Sequence, residues 1–112
     1  MMRVSFIIPV YNTQSNLLKL CVNSVLKSAE ANHEVIIVDD ASNSEDTLKF
    51  LDKCKSSSIN NINIVTNSVN SGVSYSLNHG SRIASGDFLS PVDHDDVVVT
   101  SGFSQILRYL DY

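Results

Sequence analysis

Val35-Ile36-Ile37-Val38-Asp39-Asp40 is a run of four apolar residues closed by two adjacent carboxylates. Its length and composition read as a strand, and the acids mark its C-terminal end. A second apolar run, Phe88-Leu89-Ser90-Pro91-Val92, leads in the same way into Asp93-His94-Asp95-Asp96. Ionised carboxylates repel one another, so clustering them costs stability unless a cation or hydrogen-bond donors offset the charge. Two strands that each deliver acids to one end therefore indicate a site.

Working outward, Val4-Ser5-Phe6-Ile7-Ile8 predicts a first strand, apolar enough for both its faces to be covered, with Pro9 ending it. Tyr11-Asn12-Thr13-Gln14 is a polar loop. Leu18, Cys21, Val22, Val25, Leu26 and Ala29 then recur at the spacing of an amphipathic helix from about Ser15, with Ser15 or Asn16 as its cap. After Asp40, Ser44 is the expected N-cap of a second helix. Glu45 and Asp46 sit in its favoured first turn, and Leu48, Leu51 and Cys54 form its apolar face. Ile62 and Ile64-Val65 predict a third strand. Val73, Leu77, Gly80 and Ala84 predict a third helix, with Gly80 permitting close approach to the sheet and Ser85-Gly86 stopping it. Phe103, Ile106, Leu107 and Leu110 predict a last helix.

No repeat, linker or low-complexity tract interrupts residues 1–112, so a single domain is expected. Strand-helix alternation predicts an α/β fold, a Rossmann-like three-layer sandwich whose mainly parallel sheet has about four strands. Ligands of such sheets bind beyond the carboxyl ends of the strands. Tyr11, Asp39-Asp40 and Asp93 to Asp96 all fall there, so separate loops are expected to converge on one edge.

The 112 residues are 43% hydrophobic, which suits one domain with a modest core. The formal net charge of −4, with Lys and Arg scattered, argues against a nucleic-acid partner. No apolar stretch approaches the ~20 residues that cross a bilayer, and no signal peptide is evident. A cytoplasmic location is expected, with peripheral attachment to a membrane as a variant. Cys21 and Cys54 lie in separate predicted helices and read as reduced, partly buried thiols.

Asp93-His94-Asp95 offers two carboxylates just past a strand. A hard cation such as Mn2+ or Mg2+ takes oxygen ligands and keeps open positions for phosphate oxygens. The bland alternative is a solvated acidic turn. At Asp39-Asp40, one carboxylate is expected to cap the following turn and the other to accept hydrogen bonds from a ligand. An acid after the second strand also suits a dinucleotide-binding fold, but Pro9-Val10-Tyr11-Asn12 contains neither G-x-G-x-x-G nor a Walker lysine. Tyr11 has a face suited to stacking on a nucleobase, or to packing under its own loop. Asn70, Gly72 and Asn78 fit ligand contacts or turn and capping roles equally. His79 reads as a helix-surface residue and His94 as the variable middle of the acidic cluster.

Taken together, these segments resemble the start of a family 2 glycosyltransferase of the GT-A fold. The resemblance runs in order through Val4 to Asn12, Glu34 to Ser42, Asn70 to Val73 with Leu77-Asn78, and Ala84 to Leu89, and ends on Asp93-His94-Asp95-Asp96. It implies a nucleotide-sugar donor, a UDP-sugar above all, lying over the strand ends. Tyr11 would sit against the base with Pro9 nearby, Asp40 would accept a hydrogen bond from the base ring, and Asp39 would support that loop. Asp93 would lie near the ribose and the metal's water shell, and Asp95 would bind the Mn2+ or Mg2+ that bridges the diphosphate. Asp96 would stand behind them or on the acceptor side.

The activity implied is metal-dependent, inverting transfer of a sugar to the hydroxyl of a glycan or lipid-linked acceptor, as in cell-surface polysaccharide synthesis. Family members continue for a hundred or more residues, which supply the acceptor site and general base. After Asp96 the only acid is Asp111, a poor base candidate, so the chain is expected to be the donor-binding half, truncated, with a homodimer as one way to cover the exposed sheet edge. Two other readings compete. One is a non-catalytic module that binds a nucleotide sugar or supports a partner enzyme. The other is a haloacid dehalogenase-type phosphatase with Asp93 as nucleophile and Asp95 as acid/base, although no lysine follows the motif.

Overall fold

The computed structural model describes residues 3–28, 33–57 and 61–97. Among these residues seven elements alternate: β1 (Val4–Val10), α1 (Ser15–Ser28), β2 (Glu34–Asp39), α2 (Glu45–Ser56), β3 (Ile62–Thr66), α3 (Val73–Ile83) and β4 (Phe88–Pro91). The strands form one parallel sheet in the order β3-β2-β1-β4. The predicted α/β sandwich and its four strands are therefore present. The last predicted helix, from Phe103 to Leu110, lies outside the described residues.

The central strands alternate their side chains between two covered faces, which is why they read as nearly continuous apolar runs. On one face Phe6, Ile8, Val10, Val35 and Ile37 pack with Leu18, Cys21, Val22 and Val25 of α1 and Leu51 of α2. On the other, Ile7, Ile36 and Val38 meet Leu77 of α3 and Ala84. Fully burying each such Ile contributes roughly 2 kcal/mol. Gly80 makes the second face possible: a Cβ there would stand 2.6 Å from Cγ2 of Ile7. The close approach expected of this glycine is present.

Pro9 does not end β1. It pairs with Val38, and Val10 pairs with Asp39. The Ile7 carbonyl accepts from the Val92 N–H on the β4 side. Pro9 has the same parity as Ile7, so its missing N–H faces the side where β4 has already finished. A proline costs no ladder bond at such a position.

A polar knot secures the opposite end of the sheet. Glu34 accepts hydrogen bonds from Ser5 Oγ and from the N–H and hydroxyl of Ser85. Burial raises its pKa, but these bonds and nearby Arg3 outweigh that and hold the carboxyl below its ordinary value. Gly86 donates its N–H to Ser5 Oγ at 2.9 Å.

Candidate functional site

The order β3-β2-β1-β4 reverses direction at β1: the chain builds outward to β3, then crosses back to place β4 on β1's other side. Such a switch point opens a crevice beyond the carboxyl ends of the two strands that flank it. A small cleft of about 70 Å³ lies there, lined by Pro9, Val10, Tyr11, Asp40, Val73, Ser76 and His94. The predicted residues Pro9, Tyr11 and Asp40 thus share one cavity. Tyr11 is 46% exposed, so its ring is available to a ligand instead of being packed away.

The two acids after β2 have separate surroundings. Asp39 Oδ1 accepts from the Ser42 N–H at 3.0 Å and so caps the turn, the task expected of one of the pair. That turn places Ala41 at φ 60°, in the left-handed region. Asn12, also left-handed at φ 50°, ties the loops after β1 and β2 together. Its Oδ1 accepts from the N–H groups of Asn43 and Ser44, at 2.9 and 2.8 Å. Asn tolerates that backbone region better than most residues.

Asp40 is less free than the sequence suggested. Its Oδ1 accepts from Asn67 Nδ2 at 2.9 Å and the Ser71 N–H at 2.8 Å, and its Oδ2 from the Gly72 N–H at 2.9 Å. Burial pushes its pKa up, but the three donors outweigh burial and hold it below the ordinary carboxylate value. A carboxylate offers about four acceptor positions, so one remains on Oδ2 of this cleft-lining residue. Gly72 reaches Asp40 with φ 94°, a conformation that side chains rarely adopt.

The helices are capped differently from expectation. Ser44 occupies the N-cap position of α2 but makes no side-chain cap bond. The start of α1 is capped from its neighbour: the Ser15 N–H donates to Asp46 Oδ2 at 2.8 Å. Chiefly through that bond, Asp46 is held below its ordinary pKa.

The acidic loop turns tightly after β4, the Asp96 N–H donating to the Asp93 carbonyl at 3.0 Å. Asp93, Asp95 and Asp96 are exposed, whereas His94 is half-buried and turned into the cleft. His94 is therefore part of the cavity wall and not a filler, a role with no signal in the sequence. Among the described residues, none of the three carboxylates pairs with a cation. The Sγ–H of Cys21 donates to the Asp93 carbonyl at 3.3 Å, joining α1 to this loop. Burial, and after it the charges of Asp96, Asp95 and Asp93, push the Cys21 thiol up to about 11. Cys21 and Cys54 are both free thiols, as expected.

Among the described residues, no group of three or more His, Cys, Asp or Glu is placed to hold a metal by itself. Exposed, unpaired carboxylates separated by one residue do fit Mn2+ or Mg2+, ions that take one or two protein carboxylates and complete their shell with water and phosphate oxygens.

Fold and cleft together define an α/β domain of the GT-A type, with a cleft at the β1/β4 switch point. Residues 5–112 match the model of Glycosyl transferase family 2, and the chain belongs to that family. It is 30% identical over 95 residues to glycosyltransferase GlyG of Streptococcus pneumoniae, covering 85% of this chain and 31% of that protein. It is 32% identical over 98 residues to the Escherichia coli UDP-Glc:alpha-D-GlcNAc-diphosphoundecaprenol beta-1,3-glucosyltransferase WfgD, covering 88% of this chain and 37% of WfgD. The chain thus spans about a third of these relatives' length.

Among solved structures, S. aureus TarS 1-349 in complex with UDP-GlcNAc superposes with a TM-score of 0.83 at 28% identity, covering 98% of this chain and 31% of that one. The mannosyltransferase PcManGT of Pyrobaculum calidifontis, in complex with GDP-Man and Mn2+, shares the fold at TM-score 0.84 and 20% identity, over 99% of this chain and 33% of its own. Family membership leaves the phosphatase reading of Asp93 and Asp95 without support. Among the described residues, no helix is long and apolar enough to cross a membrane.

Proposed function

We propose that this chain forms the donor-binding part of a metal-dependent, inverting glycosyltransferase that uses a UDP-sugar. What carries the reading is the cleft at the switch point, where Pro9, Tyr11 and Asp40 stand together with His94, whose chain neighbours Asp93 and Asp95 are exposed. TarS, which was crystallised with UDP-GlcNAc, and WfgD, whose name gives UDP-Glc as donor, support the choice of nucleotide.

Tyr11 stacks on the base, with Pro9 beside it, and the remaining acceptor position of Asp40 takes a ring N–H. Asp39 keeps the loop in place. Asp95 holds Mn2+ or Mg2+ and Asp93 lies by the ribose and the ion's water shell. When bound, the cation neutralises charge that builds on the diphosphate as the sugar leaves. The acceptor is a glycan or lipid-linked hydroxyl, and the general base is not assigned to a residue of this chain. Work at the cytoplasmic membrane surface fits such an acceptor, and a homodimer would cover Phe88 and Leu89, exposed on the edge strand β4.

The test is UDP release from a panel of UDP-sugars in Mn2+ buffer, alongside calorimetry with UDP. Metal-dependent binding that Asp95→Ala abolishes, with the fold intact by circular dichroism, is the expected result. Binding without transfer or donor hydrolysis would favour the non-catalytic module. Binding unchanged by Asp95→Ala would overturn the assignment of the cation site.

A further inference from the structure

Asp40 does not choose its own orientation. Behind it lies Asn67, 4% exposed, whose Nδ2 donates to Asp40 Oδ1 at 2.9 Å and to Ser76 Oγ at 3.0 Å. Behind Asn67 in turn lies His79, with Nδ1 2.7 Å from Asn67 Oδ1. A carboxylate held below its ordinary pKa only accepts, so the nitrogen of the Asn67 amide must face Asp40 and its oxygen must face His79. An amide oxygen only accepts as well, so the His79 Nδ1 carries a proton. The network thus fixes the ring's tautomer, and His79 is not the plain surface residue that its sequence context suggested.

The ring is fixed on a second side by Tyr75, one turn back on α3, with centroids 6.4 Å apart and planes at 69°. The Asn67 backbone is fixed too, its N–H donating to the Asp39 carbonyl at 2.8 Å. From α3, therefore, a chain of directed bonds runs His79 to Asn67 to Asp40, and ends at the cleft wall beside Tyr11. Without the Nδ1–H, the Asn67 Oδ1 loses its donor, while Asp40 and Ser76 still hold the amide nitrogen. The amide is then anchored at that end only and can tilt, and the direction of its bond to Asp40 tilts with it.

We propose that His79 is a positioning residue for the nucleotide: through Asn67 it sets the direction in which Asp40 presents its free acceptor position to the cleft. The inference rests on the donor-site reading given above. It assigns a task to a side chain that does not itself line the cleft, and it requires a donor at one ring atom only.

That requirement makes the test specific. The amide nitrogen of an Asn occupies nearly the place of His Nδ1, whereas that of a Gln lies one bond further out. His79→Phe keeps a ring against Tyr75 but removes the donor. Calorimetry with UDP and Mn2+ on the wild-type chain, His79→Phe, His79→Gln and His79→Asn, with a thermal melt of each, separates the possibilities.

Loss of this half-buried donor weakens UDP binding about five-fold in His79→Phe and His79→Gln. His79→Asn stays within about two-fold of wild type, since it keeps the bond. In the wild type, nitrogen-15 NMR of the ring places the proton on Nδ1. Equal UDP affinity in wild type and His79→Phe would overturn the inference alone, as would affinity in the four proteins that follows melting temperature and not the donor atom. A wild-type chain that fails to bind UDP would overturn the donor-site reading itself, and this inference with it.

Discussion

Asp40→Asn tests how the edge of the site is held. The carboxylate collects three hydrogen bonds, from Asn67, Ser71 and Gly72, while only 5% exposed. Asparagine keeps the size but offers one oxygen, so at most the Asn67 and Ser71 bonds survive, and its new N–H2 faces the Gly72 N–H. A hydrogen bond to a charged acceptor contributes about 1.5–3 kcal/mol, and a neutral one about half as much. Losing one bond and weakening two outweighs the cheaper burial of a neutral amide, for a net loss of about 2 kcal/mol at pH 7.

The pH dependence has a definite sign. The folded pKa lies below the ordinary 3.8, so the stabilisation is fully present above that value. It is lost as pH falls through the lower folded value, when both states become protonated. Urea unfolding of both proteins should therefore show a constant gap from pH 7 to about pH 5, closing below the ordinary value. Glu34 and Asp46, whose pKa values are also lowered, add acid sensitivity that cancels in the difference between the two proteins. Equal stability at pH 7, or a gap that does not narrow as pH falls below the ordinary value, would refute the reasoning.

Three further outcomes follow from the geometry. Tyr11→Ala should weaken UDP binding about ten-fold even without metal, because base stacking contributes about 1–3 kcal/mol, while the half-exposed ring leaves stability nearly unchanged. Unchanged affinity in calorimetry would remove Tyr11 from the site. Gly86→Ala should destabilise by about 2–3 kcal/mol in urea unfolding, since its Cβ would stand 2.5 Å from Ser5 Oγ, 2.8 Å from Ser5 N and 2.9 Å from the Arg3 carbonyl, two of them backbone atoms. A neutral effect would mean that the close approach at the foot of β1 is absent. In a Cys54→Ser background, Cys21 should resist a thiol reagent at pH 8 until urea unfolds the chain, because a buried thiol raised to about 11 holds roughly one thiolate in a thousand. Rapid labelling of the native protein would contradict its burial beside the acidic loop.

Much of this architecture is legible in the residues. Nearly continuous apolar runs at β1 and β2 give away a parallel sheet covered on both faces, and the stripes of α1 and α2 show what covers one of them. Pro9 misleads because its effect depends on which neighbour its missing N–H faces, and strand order is not written locally. The site divides along the same line. Asp39, Asp40 and the acidic loop are visible because charge at a strand end is unusual. The residues that direct them are not, since Asn67, Ser76 and His79 resemble ordinary loop and helix positions until the chain brings them behind Asp40. Capping of α1 by Asp46 escapes for the same reason, the donor and acceptor being 31 residues apart.

Crystals soaked with UDP and Mn2+ test the central claim most directly. The account expects a uracil ring against Tyr11 with an N–H directed at Asp40, and a metal ion between the diphosphate and Asp95. Nucleotide density elsewhere on the surface, or an ion on the diphosphate with Asp93 and Asp95 both turned away, would contradict it.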